Sequence, residues 1–538
     1  MKPIGRRDQQ RQQGAADAAV PLTRLLAAVP NLLGVSSGRA GEDGWIRGLT
    51  ADSRSVRPGD CFVAIRGTRL DGHAYVDEAV RRGAAAVVVD RPEVSRRLAS
   101  LEPRLPVALV GDSRLALAWM AAAWYRHPSD ALHVVGVTGT VGKTSTALYA
   151  RQLLETAGIP TGAVGTLGIF TSTGWRPSEL TTPDPMTLQA ALRDMADEGL
   201  HAATLEVSSH ALLQHRAASV RLRTGVLTEM APHEHVDVHP TFEAYLQAKA
   251  RLLDLLDPEA ILVYHAGNTH ARTLAARWPA PQRIGYQLRD GSATLGVGPA
   301  EGDSARVEGR IRGLDLAGIA LDLHVAVDAR PALTMPVRLS LVGPQAALAA
   351  VGAAAVALAM GVPPEALRHG LAGLQPLRRR TEVLMREPFV VIDDTAAHPA
   401  SLERLLGTLA ACRARGIVLL MGIRGSRGVE INARNGQVVA AWSHRLPIEA
   451  IVVTDAEEAV GPRDRVLPEE RRAVLSALAS GPIPPLHLPG LEQAVAAALH
   501  RIRPGGVLVM TGTQALDGAA SLLLRRLGRE DGAGRAEV

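Results

Sequence analysis

Residues 136–146 read GVTGTVGKTST and follow directly on the apolar run LHVV. A short β-type run, a glycine-bearing loop, Gly142-Lys143-Thr144 and then TALYARQLLETAG at helical spacing are the layout of a phosphate cradle. In that layout the loop N–H groups and the helix N-terminus point at oxyanions, the lysine neutralises them, and a hydroxyl ligates Mg²⁺. A strand feeding such a loop and helix belongs to a layered α/β sheet, which narrows the fold at once. The strict spacing GxxxxGK[ST] is not met, because Val137 stands where its first glycine belongs.

Lysine usage sharpens the point. Of 59 basic residues only three, Lys2, Lys143 and Lys249, are lysines, which leaves 56 arginines. A lysine that survives such a bias inside a fold marks a position arginine does not fill. Lys143 fits, since a phosphate loop needs a compact point charge. Lys249, in FEAYLQAKARLLDLL, is the second such position, and its neighbours in the sequence give it no task.

The chain of 538 residues should hold about three domains of ~150–200 residues each. With six Trp, six Tyr and four Phe, its core must be mostly Ala, Leu and Val. No apolar run approaches the ~18 residues of a membrane span, and MKPIGRRDQQRQQGAADAAV has no apolar h-region, so residues 1–20 read as a polar, disordered leader. Cys61 and Cys412 are too few and too far apart for a disulfide framework, and a reduced cytoplasm fits. The net charge of +5 is spread along the chain, so neither nucleic acid nor a membrane is expected as partner, and the chain is expected to be a monomer.

Residues 21–130 form a first unit, in which Pro58-Gly59 marks a turn and AAAVVV a buried strand. A second, 131–372, alternates helical segments (TLQAALRDMADEG, TFEAYLQAKARLLDLL) with short apolar runs (AATLEV, TGVLTEM, AILVYH). Residues 290–340 alternate as antiparallel strands do, and QAALAAVGAAAVALAMG reads as a long Ala-rich helix. A third unit, 373–538, repeats the alternation through FVVID, a helix from Pro399, IVLLM, AIVVT and VLVM. The expected fold class is therefore α/β in three domains, the central one a P-loop-type, mostly parallel sheet with flanking helices and the last a doubly wound, Rossmann-like domain.

Three further stretches carry candidate chemistry. Glu206, in LEVSSH, ends a strand beside the cradle, where a Mg²⁺-binding carboxylate belongs, while Ser208 or Ser209 would cap the next helix in any case. HEHVDVHP holds His233, His235 and His239, at no structural-zinc spacing. GIRGSRGVEINARNG, residues 422–436, places Arg424 and Arg427 in a glycine loop before a helix, suited to a carboxylate or phosphate or to solvent alone.

Together these motifs resemble the Mur ligase superfamily, and within it the branch of UDP-N-acetylmuramoyl-tripeptide synthetases. DSRSVRPGDCFVAIRGTRLDGHAYVDEAVRRGA, TGTVGKTST, LTTPDPMTLQ, LEVSSHALLQHR and HEHVDVHPTFEAYLQAKARLL follow in that branch's order. The resemblance implies that Thr138, Gly139, Thr140, Gly142, Lys143, Thr144 and Ser145 cradle ATP, and that Arg380 contacts the nucleotide from the third domain. It implies Thr144, Glu206 and His235 as Mg²⁺ ligands. By the same resemblance Lys249 is carbamylated and its carbamate helps hold a second Mg²⁺, chemistry a guanidinium cannot supply. By the same likeness Ser53, Thr181, Thr182, Ser208, Gln214 and Arg216 hold UDP-muramoyl-dipeptide, residues 21–130 being the UDP-substrate domain. Lys143, Glu206, His235 and Lys249 form the catalytic set.

The chain departs from the family pattern at several places. Val141 and Glu229 replace asparagines, Glu234 replaces an aspartate, and Ala346 and Ala349 stand where two asparagines near the adenine are expected. The Asp-Asn-Pro-Arg motif that grips diaminopimelate is absent, with DAEEAVGPR after AIVVT. The expected activity is an ATP-dependent amide ligase adding an amino acid other than diaminopimelate to the muramoyl-dipeptide. A paralogue with another acceptor, or a non-catalytic nucleotide or precursor binder, are the competing readings.

Overall fold

The computed structural model describes residues 19–36, 44–67, 70–232, 238–279, 282–289, 302–328, 330–462 and 464–529. They form two compact units, one of the described residues up to Gly285 with 302–304, the other of Tyr286 to 289 and the described residues from Ala305 on.

The first unit opens with a five-stranded sheet in the order Leu32–Ser36, Val107–Val110, Ala86–Val89, Asp60–Val63, Gly48–Thr50, parallel except for its first strand. Side chains alternate along each strand, so Ala86 and Val88 join one buried cluster while Val87 and Val89 join the other. Covered on both faces, the strand reads as the continuous apolar run AAAVVV. Asp112 starts the helix Ser113–Trp124 by accepting from Arg114 N at 2.8 Å and Leu115 N at 3.0 Å. Val20, assigned to the leader from sequence, pairs with Ile46.

The same unit continues in strands ordered Trp175–Arg176, Gly168–Phe170, Thr161–Gly165, Ala202–Glu206, His133–Thr138, Leu222–Leu227, Leu256–His265. The last five run parallel, and the first two form an antiparallel edge. The segment TTPDP explains the start of helix Pro185–Asp197: Pro185 occupies its first turn and Asp184 accepts from Met186 N and Thr187 N. The helix expected over TFEAYLQAKARLLDLL ends earlier, at Ala250, and a 3₁₀ turn Leu253–Leu255 leads into the strand. Asp257-Pro258 lies within that strand, where the residue before proline favours an extended backbone.

In the second unit, strands Ala305–Asp315, Gly318–Val327 and Leu333–Leu339 make the antiparallel excursion that their alternation predicts. Helix Pro344–Ala359 follows and is buried along most of its length. A six-stranded sheet then has the order Glu382–Met385, Val390–Asp394, Val507–Thr511, Ile417–Gly422, Ile448–Thr454, Pro485–His487, parallel but for the first. Helices Pro399–Ala411, Val429–Trp442 and Pro468–Leu478 cover one face, and Leu491–Arg501 and Ala519–Arg526 the other. This is a doubly wound sheet. Among the described residues no helix is long and apolar enough to cross a membrane.

Candidate active site

The loop after strand His133–Thr138 carries the first group of candidate residues. Val137 is an ordinary buried strand residue, opposite Glu206 on one side and Val226 on the other. The tight position lies two residues on: a Cβ on Gly139 would sit 1.9 Å from Thr228 Oγ1. Gly142, at φ +92°, then turns the chain into helix Lys143–Thr156. The glycine missing from the strict motif is therefore not needed here. Thr140 N and Val141 N donate to Glu229 O at 2.6 and 3.3 Å, so the Glu229 position serves the loop through its backbone. Ser145 is half-buried in the first helical turn, and Thr138 Oγ1 is buried with no partner.

Both interior lysines reach this loop. Lys143 Nζ donates to Gly139 O at 2.8 Å and to Thr140 O at 3.3 Å. Lys249, only 1% exposed, donates to the same Gly139 O at 2.7 Å. Its ammonium lies 4.4 Å from the centre of the Tyr245 ring, whose hydroxyl donates to Thr140 Oγ1 at 3.2 Å.

Glu206 is the second centre. It ends its strand buried, where Thr144 Oγ1 donates to its Oε2 at 2.8 Å. Thr166 adds its N–H to Oε1 at 2.8 Å and its hydroxyl to Oε2 at 3.2 Å. The approach is close: a Cβ on Gly165 would lie 2.1 Å from Oε1. Thr166 Oγ1 also meets Thr181 Oγ1 at 3.1 Å. Thr182 Oγ1 donates to the Glu206 carbonyl at 2.8 Å and accepts from Ser208 N at 3.0 Å. Arg216 joins by donating to Thr182 O at 3.0 Å and, through Nε and Nη2, to Gln214 Oε1 at 3.0 and 2.6 Å. Burial and, less, the charge of Arg114 hold Arg216 below the ordinary guanidinium range. Ser208 also caps its helix, accepting from Ala211 N at 3.2 Å, so its capping and site readings coincide.

Thr144, Glu206, Thr181, Thr182, Ser208, Gln214 and Arg216 thus belong to one bonded network, and Lys143 and Lys249 to a second on the same loop. Thr166 was missed: a lone threonine after a strand carries no motif. Ser53 lies in the five-stranded part, donating to Glu78 Oε2 at 3.2 Å. Arg380 belongs to the other unit, where its guanidinium donates to Arg379 O and to the Thr395 hydroxyl. His235, with His233 and Glu234, lies outside the described residues. His239 is buried and meets Ser209 Oγ at 3.1 Å.

The Thr144 hydroxyl beside the Glu206 carboxylate is a hard-oxygen pair suited to Mg²⁺, which takes one or two carboxylates and completes its shell with phosphate and water. No group of three His, Cys, Asp or Glu able to hold a metal occurs among the described residues. In the glycine–arginine loop the N–H groups of Ser426, Arg427 and Gly428 donate to Glu470.

Three family descriptions match in succession: "Mur ligase family, catalytic domain" over residues 45–125, "Mur ligase middle domain" over 137–356, and "Mur ligase, glutamate ligase domain" over 379–514. The UDP-N-acetylmuramoyl-L-alanyl-D-glutamate–2,6-diaminopimelate ligase of Chlorobaculum tepidum is 31% identical over 511 residues, covering 93% of each chain. The UDP-N-acetylmuramyl-tripeptide synthetase of a Roseiflexus species is 31% identical, over 87% of this chain and 89% of its own. Among solved structures, a UDP-N-acetylmuramoyl-L-alanyl-D-glutamate–2,6-diaminopimelate ligase superposes with TM-score 0.61 at 20% identity, over 95% of this chain and 100% of its own. MurF of Thermotoga maritima in complex with ADP does so with TM-score 0.58 at 19% identity, over 89% and 96%; both show a shared fold.

Proposed function

The chain belongs to the Mur ligase family, and from that premise we propose that it joins an amino acid other than diaminopimelate to UDP-N-acetylmuramoyl-L-alanyl-D-glutamate. It is an ATP-dependent amide ligase of the peptidoglycan pathway in the manner of its family. The observation that supports the phosphoryl-transfer chemistry is the meeting of Lys143 and Lys249 on one loop carbonyl, beside the Thr144–Glu206 pair. The absence of Asp-Asn-Pro-Arg supports an amino acid other than diaminopimelate: Asp455, which follows strand Ile448–Thr454, is buried against Arg471 and against His487 Nε2 at 3.2 Å. We take residues 21–130, 131–372 and 373–538 as the substrate, ATP and C-terminal domains.

In this mechanism the γ-phosphoryl of ATP passes to the terminal carboxylate of the muramoyl-dipeptide, giving an acyl phosphate. The amine of the amino acid attacks it and phosphate leaves. Thr138 to Ser145 cradle the phosphates, with Lys143 offsetting their charge. Thr144, Glu206, His235 and a carbamylated Lys249 would hold Mg²⁺, which supplies further charge neutralisation. Thr181, Thr182, Ser208, Gln214 and Arg216, with Ser53, orient the carboxylate-bearing substrate, and Arg380 meets the nucleotide.

The test incubates the protein with ATP, Mg²⁺, UDP-muramoyl-dipeptide and a panel of amino acids, following ADP and product mass. Turnover with one amino acid that is not diaminopimelate is expected. No turnover with any, or preference for diaminopimelate, removes the reading.

A further inference from the structure

In the second unit, residues 378–381 turn the chain from Leu377 into strand Glu382–Met385, which pairs with Val390–Asp394. Two of these residues are strained. Arg379 stands at φ +55° and Thr381 at φ +50°, in the left-handed region that suits glycine and penalises a β-branched side chain most. Such a turn persists only where its surroundings over-determine it.

Side chains fasten it from two directions. Thr381 donates its N–H at 2.6 Å and its hydroxyl at 2.9 Å to Asp394 Oδ2, and Arg379 N donates to Glu382 Oε2 at 2.9 Å. The buried Arg379 side chain then crosses the carboxyl ends of strands Val390–Asp394 and Val507–Thr511. Its Nε donates to Asp393 Oδ1 at 3.2 Å, and its Nη groups to the carbonyls of Gly512 and Thr513 and to the Asp517 carboxylate. Burial pushes the Asp393 carboxyl up to about 7, against the charge and hydrogen bond of Arg379, which pull it down.

The backbone of the same residue seats its neighbour. Arg379 O accepts from Thr395 N at 3.2 Å and from Arg380 Nη1 at 3.2 Å, and Arg380 Nη1 also reaches the Thr395 hydroxyl. A glycine at 379 would meet the backbone demand without cost and would leave this seat to main-chain bonds alone. An arginine there adds its ties to Asp393 and to residues 512–517.

We propose that Arg379 is a positioning residue for Arg380: by anchoring the strained turn to residues 512–517, its guanidinium fixes the carbonyl on which the Arg380 guanidinium rests, and so pre-orders that guanidinium for the nucleotide. This rests on the ligase reading above, which gives Arg380 to the nucleotide. Without the anchor, the Arg380 side chain must be ordered when the nucleotide binds, and that ordering weakens the complex.

The experiment compares wild type, Arg379→Gly, Arg380→Ala and the double variant. Calorimetry titrates each with Mg²⁺ and adenylyl imidodiphosphate, a non-hydrolysable ATP analogue, and separately with UDP-muramoyl-dipeptide. Arg379→Gly is expected to raise Kd for the nucleotide about 3- to 10-fold, with Kd for the muramoyl-dipeptide within about 2-fold. The double variant should bind the nucleotide within about 2-fold of Arg380→Ala alone, because the anchor acts through a side chain already removed. In hydrogen exchange, the amides of Arg380, Thr381 and Thr395 should exchange about 10-fold faster in Arg379→Gly. Should Arg379→Gly melt below the assay temperature, the same comparison runs in an Asp393→Asn background, which removes the carboxylate left buried without its partner. Unchanged nucleotide affinity, equal weakening of both ligands, or losses that add in the double variant overturn the role of Arg379 toward Arg380, as does a wild type that binds no nucleotide. Unchanged exchange overturns the anchoring itself. A wild type that binds the nucleotide but turns over no amino acid removes the ligase reading, while the titrations still decide whether the two arginines are coupled.

Discussion

Lys249 gives the sharpest test of the site. Its ammonium donates a charge-assisted hydrogen bond to Gly139 O at 2.7 Å from a position 1% exposed. A bond of that kind contributes about 1.5–3 kcal/mol. If all of it reached the transition state, its loss would cost roughly 10- to 150-fold in kcat/KM. Lys249→Arg retains a cation and donors, and overpacking a buried site costs about 1–3 kcal/mol. A scaffolding lysine therefore predicts losses of about 10²-fold for either Lys249→Arg or Lys249→Ala. A carbamylated lysine predicts more than about 10³-fold for both, because the ligand oxygen is gone. It predicts as well that formate, a small carboxylate entering the space left by Lys249→Ala, restores part of the rate. Lys249→Arg has no such space and should not respond. Activity is followed by ADP release, with thermal melting to confirm that each variant is folded. A loss of about 10²-fold or less in Lys249→Arg, or Lys249→Ala indifferent to formate, would refute the carbamate argument.

Two further outcomes follow from the first unit. Thr166→Val keeps the shape and the N–H bond to Glu206 but removes the hydroxyl at 3.2 Å. The half-saturating Mg²⁺ concentration in the ligase assay should then rise about 10-fold, and Thr166→Ser should restore it; an unchanged Mg²⁺ curve contradicts the link. His133 and His265 are both pushed down from 6.5 to about 4, chiefly by burial, so the folded chain holds them neutral. Their contribution is complete above 6.5 and is lost as pH falls from there toward 4, since the unfolded chain is the one that gains protons in that window. Melting temperature should fall across it, and less steeply in His133→Gln; parallel curves for the two proteins would count against the assignment.

What the sequence disclosed and what it hid divide by range. Strands covered on both faces appear as unbroken apolar runs, so AAAVVV and IVLLM are legible without any partner in view. The phosphate loop is equally local, and only its tight glycine was displaced from Val137 to Gly139. The helix after Thr241 is shorter than its pattern suggests because the apolar spacing continues through Leu252 and Leu256, while the chain leaves the helix at Ala250 for a 3₁₀ turn. Thr166 and Glu470 were hidden for a different reason. Each acts on a group some 40 residues away in sequence, and each looks like something ordinary. Glu470 in particular sits where an acid caps its own helix through Leu467 N, and it performs that task while also holding the distant loop.

The cation census acquires a physical meaning from these contacts. Where a buried cation must span several acceptors, this chain uses arginine. Arg151, 4% exposed, donates from Nε to Thr161 O at 3.0 Å and from Nη2 to Glu155 at 2.8 Å. Arg379, 6% exposed, reaches Asp393, Gly512, Thr513 and Asp517 at once. A planar fork suits such tasks. The Gly139 carbonyl poses the opposite problem, since two cations approach a single oxygen inside a tight loop. Two forks would compete for the space, whereas two compact amines fit. That geometric demand accounts for a lysine at each position but does not by itself separate them. Lys143 leads a helix and faces the loop, as a phosphate-neutralising cation must. Lys249 arrives from a different helix, stacked on Tyr245 and sealed from solvent, where a permanent charge has least use and a modifiable amine most. The scarcity of lysine and the shared carbonyl therefore point to two different chemistries meeting at one loop, rather than to one cation held in duplicate.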